Sequence, residues 1–287
     1  MLDLPPGSMP VNGRPTIGMS DIVLERVIAQ MPEYRHSISV VSAGRALLML
    51  AEGEPSCFAS AALTPQREQA AYFTPAYVLP PLRVLVRADK VQDLPLNEHG
   101  EVLMRELLRS KSLRGIVVRE RSYSPSIDEQ LRLIGTAAGV RSALAAGSGT
   151  NLLKMLELGR ADYTLEYDFV LTYQSRNVPA LFDQDRFVAV PIAGAEPMRV
   201  GIACPHTSWG REMIRRIDAI LAKISTDPDY ADIVEHWLSP AAARQHRHLM
   251  DLFLAQRAEP LSESYFPQLA PWPSLPPLPS ASGNVRP

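Results

Sequence analysis

The chain lacks most of the features that announce a function directly. It has two cysteines, Cys57 and Cys204, among 287 residues, which make neither a metal cluster nor a disulfide framework. Neither sign of charge dominates: 29 basic against 31 acidic side chains leave a net charge of -2. Phosphate neutralisation needs a concentrated basic face, so this balance argues against a nucleic-acid partner. Apolar runs are short, as at residues 46–51, and none approaches the ~20 residues of a transmembrane segment. The glycine-rich nucleotide loops, the HExxH zinc helix and the GxSxG elbow are all absent. No repeat of solenoid period is present. What remains is ordinary globular composition, 46% hydrophobic and 21% charged. At ~150 residues per domain the length suggests two domains, or one domain in two lobes.

The two ends differ from the body. Residues 1–16 show no charged region followed by an apolar stretch, so no signal peptide is recognisable in them. Residues 258–287 hold 8 of the 26 prolines. Proline removes backbone donors and resists helix and sheet, so this tail is expected to be extended or disordered. A proline-reading partner is its alternative role.

Between the ends, helical and β patterns alternate. Residues 21–31 place apolar side chains at helical spacing, 37–41 read as a short β-branched strand, and 45–50 as a helix stopped by Gly53. Residues 57–63 form an apolar strand of small side chains. Pro65 with Gln66, Arg67 and Glu68 looks like a helix start, and LRVLVR at 82–87 is a strong strand pattern. A second set follows: helix 98–110, strand 115–119, helix 124–134, strand 140–145, a turn at 147–150, helix 151–158 and strand 161–166. Strands at 187–191 and 198–204 precede helices at 208–224, 229–238 and 241–256. Such α/β alternation implies a mostly parallel sheet with helices on both faces.

Chemistry-bearing residues are scattered. Gly147, Ser148, Gly149 and Thr150 could cradle an anion before a helix, or simply form a turn. His246 and His248 fall on different sides of a helix, which argues against a joint metal site, and His206 has no evident partner. Glu166 and Asp168 flank Tyr167 after a strand, as an acid/base pair or as a solvated strand end. Arg67 follows Ser60, Ala61, Ala62, Leu63, Thr64 and Pro65. Small side chains admit a ligand close to the backbone, hydroxyls add donors, and arginine can clamp a carboxylate through two bonds. A surface arginine at a helix start fits the same residues. Nothing calls for a cofactor or a metal.

The order of segments adds a resemblance. The stretch from Gly44 to Gly53, then CFASAALTPQREQAAYFTPAY at 57–77, is similar to lobe one of periplasmic (extracellular) solute-binding proteins of the polar-amino-acid type. In that family a strand leads into a Thr-Pro-x-Arg turn, and the segment matching Tyr72–Tyr77 crosses to lobe two. LELGRADY at 156–163 resembles a lobe-two turn, and residues 226–238 resemble the closing helix, so the likeness spans about 18–238. It implies an α/β, type II periplasmic-binding-protein-like fold: two α/β lobes joined by a double-crossover hinge. Lobe one would comprise 1–86 plus 196–257, with its first strand missing ahead of Leu2–Pro6, a loss that would make the chain fold poorly. Lobe two would comprise 87–195, and 258–287 the tail.

The resemblance also implies a function. It points to non-enzymatic binding of a small polar, carboxylate-bearing solute in the interlobe cleft, for ABC-type transport or for sensing. The partner would be a membrane transporter or receptor, and the location the periplasm. Carried over by position, Arg67 would clamp the carboxylate, with Ser60, Ala62 and Thr64 beside it. Ser122, Tyr123 and Ser124 would grip the ligand at a helix start, and Tyr123 and Tyr167 could stack on it. Tyr167 aligns where amino-acid binders carry the acid that pairs the ligand's ammonium, and a one-residue shift would put Glu166 or Asp168 there, so an α-amino acid, a peptide fragment, an organic acid and an aromatic compound all stay open as ligands. Cys57 and Cys204 would lie on paired strands, either bonded or as two buried thiols. The alternatives are a dehydratase-like lyase or hydrolase on the same lobes, using Glu166 or Asp168 as general acid, and a sensory or interaction module using the tail.

Overall fold

In chain order the α-helices and strands are α1 (Met19–Ala29), α2 (Ala43–Ala51), β1 (Phe58–Ala62), α3 (Pro65–Glu68), β2 (Ala71–Leu79) and β3 (Arg83–Arg87), with a 3-10 turn at Ala88–Asp93 and a π turn at Leu131–Gly135 besides. There follow α4 (Met104–Arg109), β4 (Gly115–Val118), α5 (Pro125–Gln130), β5 (Arg141–Ala143), α6 (Ser148–Glu157) and β6 (Tyr163–Glu166). The remainder are α7 (Asp168–Asn177), β7 (Phe187–Pro191), β8 (Met198–Pro205), α8 (Ser208–Ile224), α9 (Asp232–Glu235) and α10 (Pro240–Arg257). The computed structural model describes residues 1–119, 121–135, 140–143, 148–179 and 186–260, so most of the proline-rich tail lies outside it. Helix starts follow local chemistry. Ser42, Thr64, Ser124, Thr207 and Ser239 each accept a backbone N–H three residues on. Pro65, Pro125 and Pro240 then stand at the first helical positions, where a missing N–H costs nothing.

The strands form two sheets, ordered β1-β8-β2 and β5-β4-β6-β3-β7. The expectation of mostly parallel pairing is corrected here. Only β4 with β5 and β4 with β6 run parallel; β1 and β2 on β8, and β3 on β6 and β7, are antiparallel. The chain passes between the sheets twice, from β2 to β3 and from β7 back to β8, and these crossing strands set the antiparallel pairs. The sequence resemblance puts the first crossing at Tyr72–Tyr77, but β2 continues to Leu79 within the first sheet, and the crossing follows at Pro80 and Pro81.

β2 survives a proline at its centre because it is an edge strand, where a ladder can spare one donor. Pro75 faces Gly201, and a Cβ on Gly201 would lie 2.0 Å from the Thr74 carbonyl oxygen. Only glycine permits that approach. In the second sheet, side chains alternate with period two. Leu85, Ile116 and Val118 pack with Leu152, Leu153 and Leu156 of α6 on one face. Val84, Val86, Val117 and Leu165 join Leu107, Leu108 and Ile127 on the other. Burying a leucine such as Leu85 is worth about 1.5–3 kcal/mol.

Several helices differ from the sequence reading: the one expected at 98–110 begins only at Met104, after a β-bridge between Leu96 and Val102, those expected at 124–134 and 229–238 shorten to α5 and α9, and the sequence pattern does not announce α7. Residues 37–41 form no strand. Their backbone meets Met1 instead, through Met1 N to Ser39 O (2.9 Å) and Val41 N to Met1 O (3.1 Å). An open groove of about 360 Å³ lies between this segment and β1, lined by Val27, Met31, Phe58 and Met213 among others. Among the described residues β1 therefore pairs only with β8.

Candidate functional site

β1 delivers the first half of the site. Thr64, buried at the end of this strand, caps α3 by accepting the Arg67 N–H at 3.3 Å, which places Arg67 one turn beyond the strand. The Arg67 side chain folds back, and Nη1 donates to the Ala62 carbonyl at 3.1 Å. A guanidinium carries five donors, and no other partner of this one is found among the described residues. Burial lowers the Arg67 pKa, while the field of Asp128 opposes that shift. Ser60 adds a buried Oγ with no hydrogen-bond partner among the described residues.

The second sheet supplies the facing wall. Asp128, on α5, accepts the Ser122 hydroxyl at 2.5 Å and the Tyr123 N–H at 2.8 Å. Tyr77 of β2 shares one buried cluster with Tyr123, Ile127 and Tyr167 of this wall, and the field of Asp128 reaches both Arg67 and Tyr167. Ser124 is buried and occupied as the cap of α5, with Ser126 Oγ at 3.2 Å.

The structure gives both predicted stacking tyrosines other work. Tyr123 is 1% exposed, and its phenol oxygen accepts the Val118 N–H at 2.7 Å. Burial pushes its pKa up to about 12. Tyr167 is 7% exposed and stacks on Phe169, with ring centroids 4.8 Å apart. Neither presents a free ring to the cleft, because Arg121 lies over both, 5.1 Å and 5.9 Å from the ring centres.

Arg121 is the residue that sequence reading missed. Its Nη1 and Nη2 each donate to one oxygen of Glu166 at 2.5 Å, a bidentate pair with Glu166 2% exposed. Glu166 and Asp168 therefore do not act as a matched acid/base pair. Glu166 is locked as a counterion, while burial raises the Asp168 pKa against the opposing field of Arg83. The signal lay in pairing: β4 beside β6 sets Ile116 against Thr164, which brings Glu166 level with Val118, three residues before Arg121.

Other candidates fall elsewhere. Gly147 lies outside the described residues, and Ser148, Gly149 and Thr150 begin α6. His246 is buried, with Nε2 2.8 Å from the Val78 carbonyl, and no group of metal-ligating side chains occurs among the described residues. His206 packs edge-on against Tyr72 at 4.4 Å. Cys57 and Cys204 are bonded, with Cα atoms 4.4 Å apart, because the register that sets Phe58 against Ala203 makes them direct neighbours. No helix among the described residues is long and apolar enough to cross a membrane.

Solved structures share this fold. A histidine kinase sensor domain with similarity to periplasmic binding proteins superposes with a TM-score of 0.63 at 19% identity, covering 83% of this chain and 92% of that one. An ancestral arginine-binding protein bound to arginine gives 0.61 at 17%, covering 83% and 95%. A putative L-cystine ABC transporter protein from Listeria monocytogenes gives 0.61 at 16%, covering 84% and 94%. The fold is that of the type II periplasmic binding proteins. At these identities the likeness carries the two-lobed α/β architecture and leaves the ligand to the site itself. No protein-family model matches the chain, and no curated protein matches its sequence.

Proposed function

We propose that the chain binds a small carboxylate-bearing solute between its lobes, without catalysis, and hands it to an ABC-type transporter or reports it to a receptor. The supporting observation is Arg67: half-buried, held by one bond to the Ala62 carbonyl, and opposed by Asp128 of the other wall. Such a cation, with donors to spare and little water, suits a carboxylate. Ser60, Ala62 and Thr64 complete that wall, and Ser122 and Ser124 stand on the other. The two lobes that close on the ligand about the paired crossings would be those expected at 1–86 with 196–257 and at 87–195, with the first boundary moved back to Pro80 and Pro81 because β3 pairs in the second sheet. The binding proteins among the structural neighbours favour this reading over the enzymatic one, as does the engagement of Glu166 with Arg121. A periplasmic location agrees with the Cys57–Cys204 bond, since disulfides persist in oxidising compartments.

The test is a thermal-shift screen of amino acids, organic acids and short peptides. A ligand at a hundredfold its Kd stabilises the protein by about 2.7 kcal/mol. Arg67→Ala is expected to abolish that shift while leaving the ligand-free melting temperature within a degree or two. Binding unchanged in Arg67→Ala removes Arg67 from the site.

A further inference from the structure

The carboxylates and cations of the cleft are unequally committed. Glu166 is buried and spends both oxygens on Arg121, with Oε1 also accepting the Tyr167 N–H at 3.0 Å. Asp128 spends one oxygen on Ser122 and the other on Tyr123. Asp168 lies in the field of Arg83. On the opposite wall Arg67 keeps unused donors, and the Ser60 hydroxyl has no partner among the described residues. A ligand ammonium entering this space would find Glu166 paired with Arg121, Asp128 already accepting two hydrogen bonds, and only Asp168, whose neutral form burial favours, without an ion pair among the described residues. Arg121 is also poorly placed to withdraw, since it lies over the Tyr123 and Tyr167 rings while bonded to Glu166. A carboxylate finds the reverse: open donors from Arg67 and a waiting hydroxyl.

We infer that the cleft selects carboxylate solutes without an ammonium group, and that Arg121, by occupying Glu166, is the residue that sets this specificity. The inference rests on the solute-binding reading above and names its ligand class: deaminated organic acids, mono- or dicarboxylate, in preference to α-amino acids. Rejection works by mispairing, because the wrong ligand must leave its ammonium facing cations.

Matched pairs test it in the full chain by titration calorimetry: glutarate against glutamate, pentanoate against norvaline, 3-phenylpropionate against phenylalanine. The deaminated member of a binding pair is expected to bind at least about tenfold tighter. Arg121→Met, which releases Glu166, should shift the preference toward the amino acid, and Arg121→Met/Glu166→Gln should erase it. An α-amino acid binding the wild-type chain as tightly as its deaminated partner, or more tightly, overturns the inference without touching the solute-binding reading. That wild-type comparison decides the matter even if a variant fails to fold. No binding of either series to folded protein overturns both.

Discussion

The bond between Cys57 and Cys204 offers the sharpest test of how lobe one is held. It closes a loop spanning 147 residues, which includes every strand of the five-stranded sheet. In the chain-entropy treatment a loop of that size removes about 17 cal/mol/K from the unfolded ensemble, or about 5 kcal/mol at 25 °C. For a chain of this length each kcal/mol moves the melting temperature by about 2–4 °C, so loss of the bond should lower it by roughly 10–20 °C. The bond should also reduce the surface exposed on unfolding, so the denaturant slope should rise when it is removed. Cys204 is 0% exposed, so reduction has to be done in the unfolded state before refolding under reductant. Urea titrations of oxidised protein, reduced protein and Cys57→Ser/Cys204→Ser provide the comparison. The last two should coincide, well below the first. Identical midpoints and slopes for all three, with two titratable thiols in untreated protein, would refute the reasoning.

Two further perturbations follow from buried polar groups. Arg257 is 0% exposed at the end of α10 and donates to the Pro75 carbonyl (2.9 Å), Thr74 Oγ1 (3.1 Å) and Asp218 (2.8 Å), tying the last helix to β2 and α8. Arg257→Met removes a cation from the buried Asp218, which keeps the Thr74 hydroxyl, and should cost about 3–5 kcal/mol in urea unfolding, while Arg257→Met/Asp218→Leu should recover part of it. His246 bonds the Val78 carbonyl through Nε2, so that nitrogen carries the proton, and its buried Nδ1 has no partner among the described residues. Protonation would bury an unpaired N–H, and desolvation lowers this pKa. The folded state then binds fewer protons than the unfolded one. Stability is full above the unfolded value near pH 6.5 and is lost as pH falls through the folded pKa. The loss between pH 7 and 5 should shrink in His246→Gln, and an unchanged pH profile would count against the assignment.

Which parts of this structure the sequence could disclose depends on the range of the interaction that forms them. β7 and α8 are legible to the residue, because period-two and period-3.6 patterns and a Thr cap are all local. β2 was harder, since a central proline reads as a break until the strand is known to lie at an edge. Alternation of helices and strands gave the α/β class but misjudged the sheets, because pairing direction depends on where the chain crosses between lobes. Residues 37–41 have strand composition, yet composition cannot supply the ladder partner that makes a strand. The site divides in the same way. Arg67 could be picked out because small residues, a Thr cap and a Pro start all lie within eight positions of it. Arg121 could not, because its meaning comes from Glu166, 45 residues away and brought alongside by the β4–β6 pairing. A carboxylate after a strand looks like a general acid, a ligand contact or a solvated end until its partner is known. Here the partner is an arginine at 2.5 Å on both oxygens, and that contact turns a candidate acid into a fixed counterion. The chemistry of the cleft therefore depends less on which charged residues line it than on which are already spent.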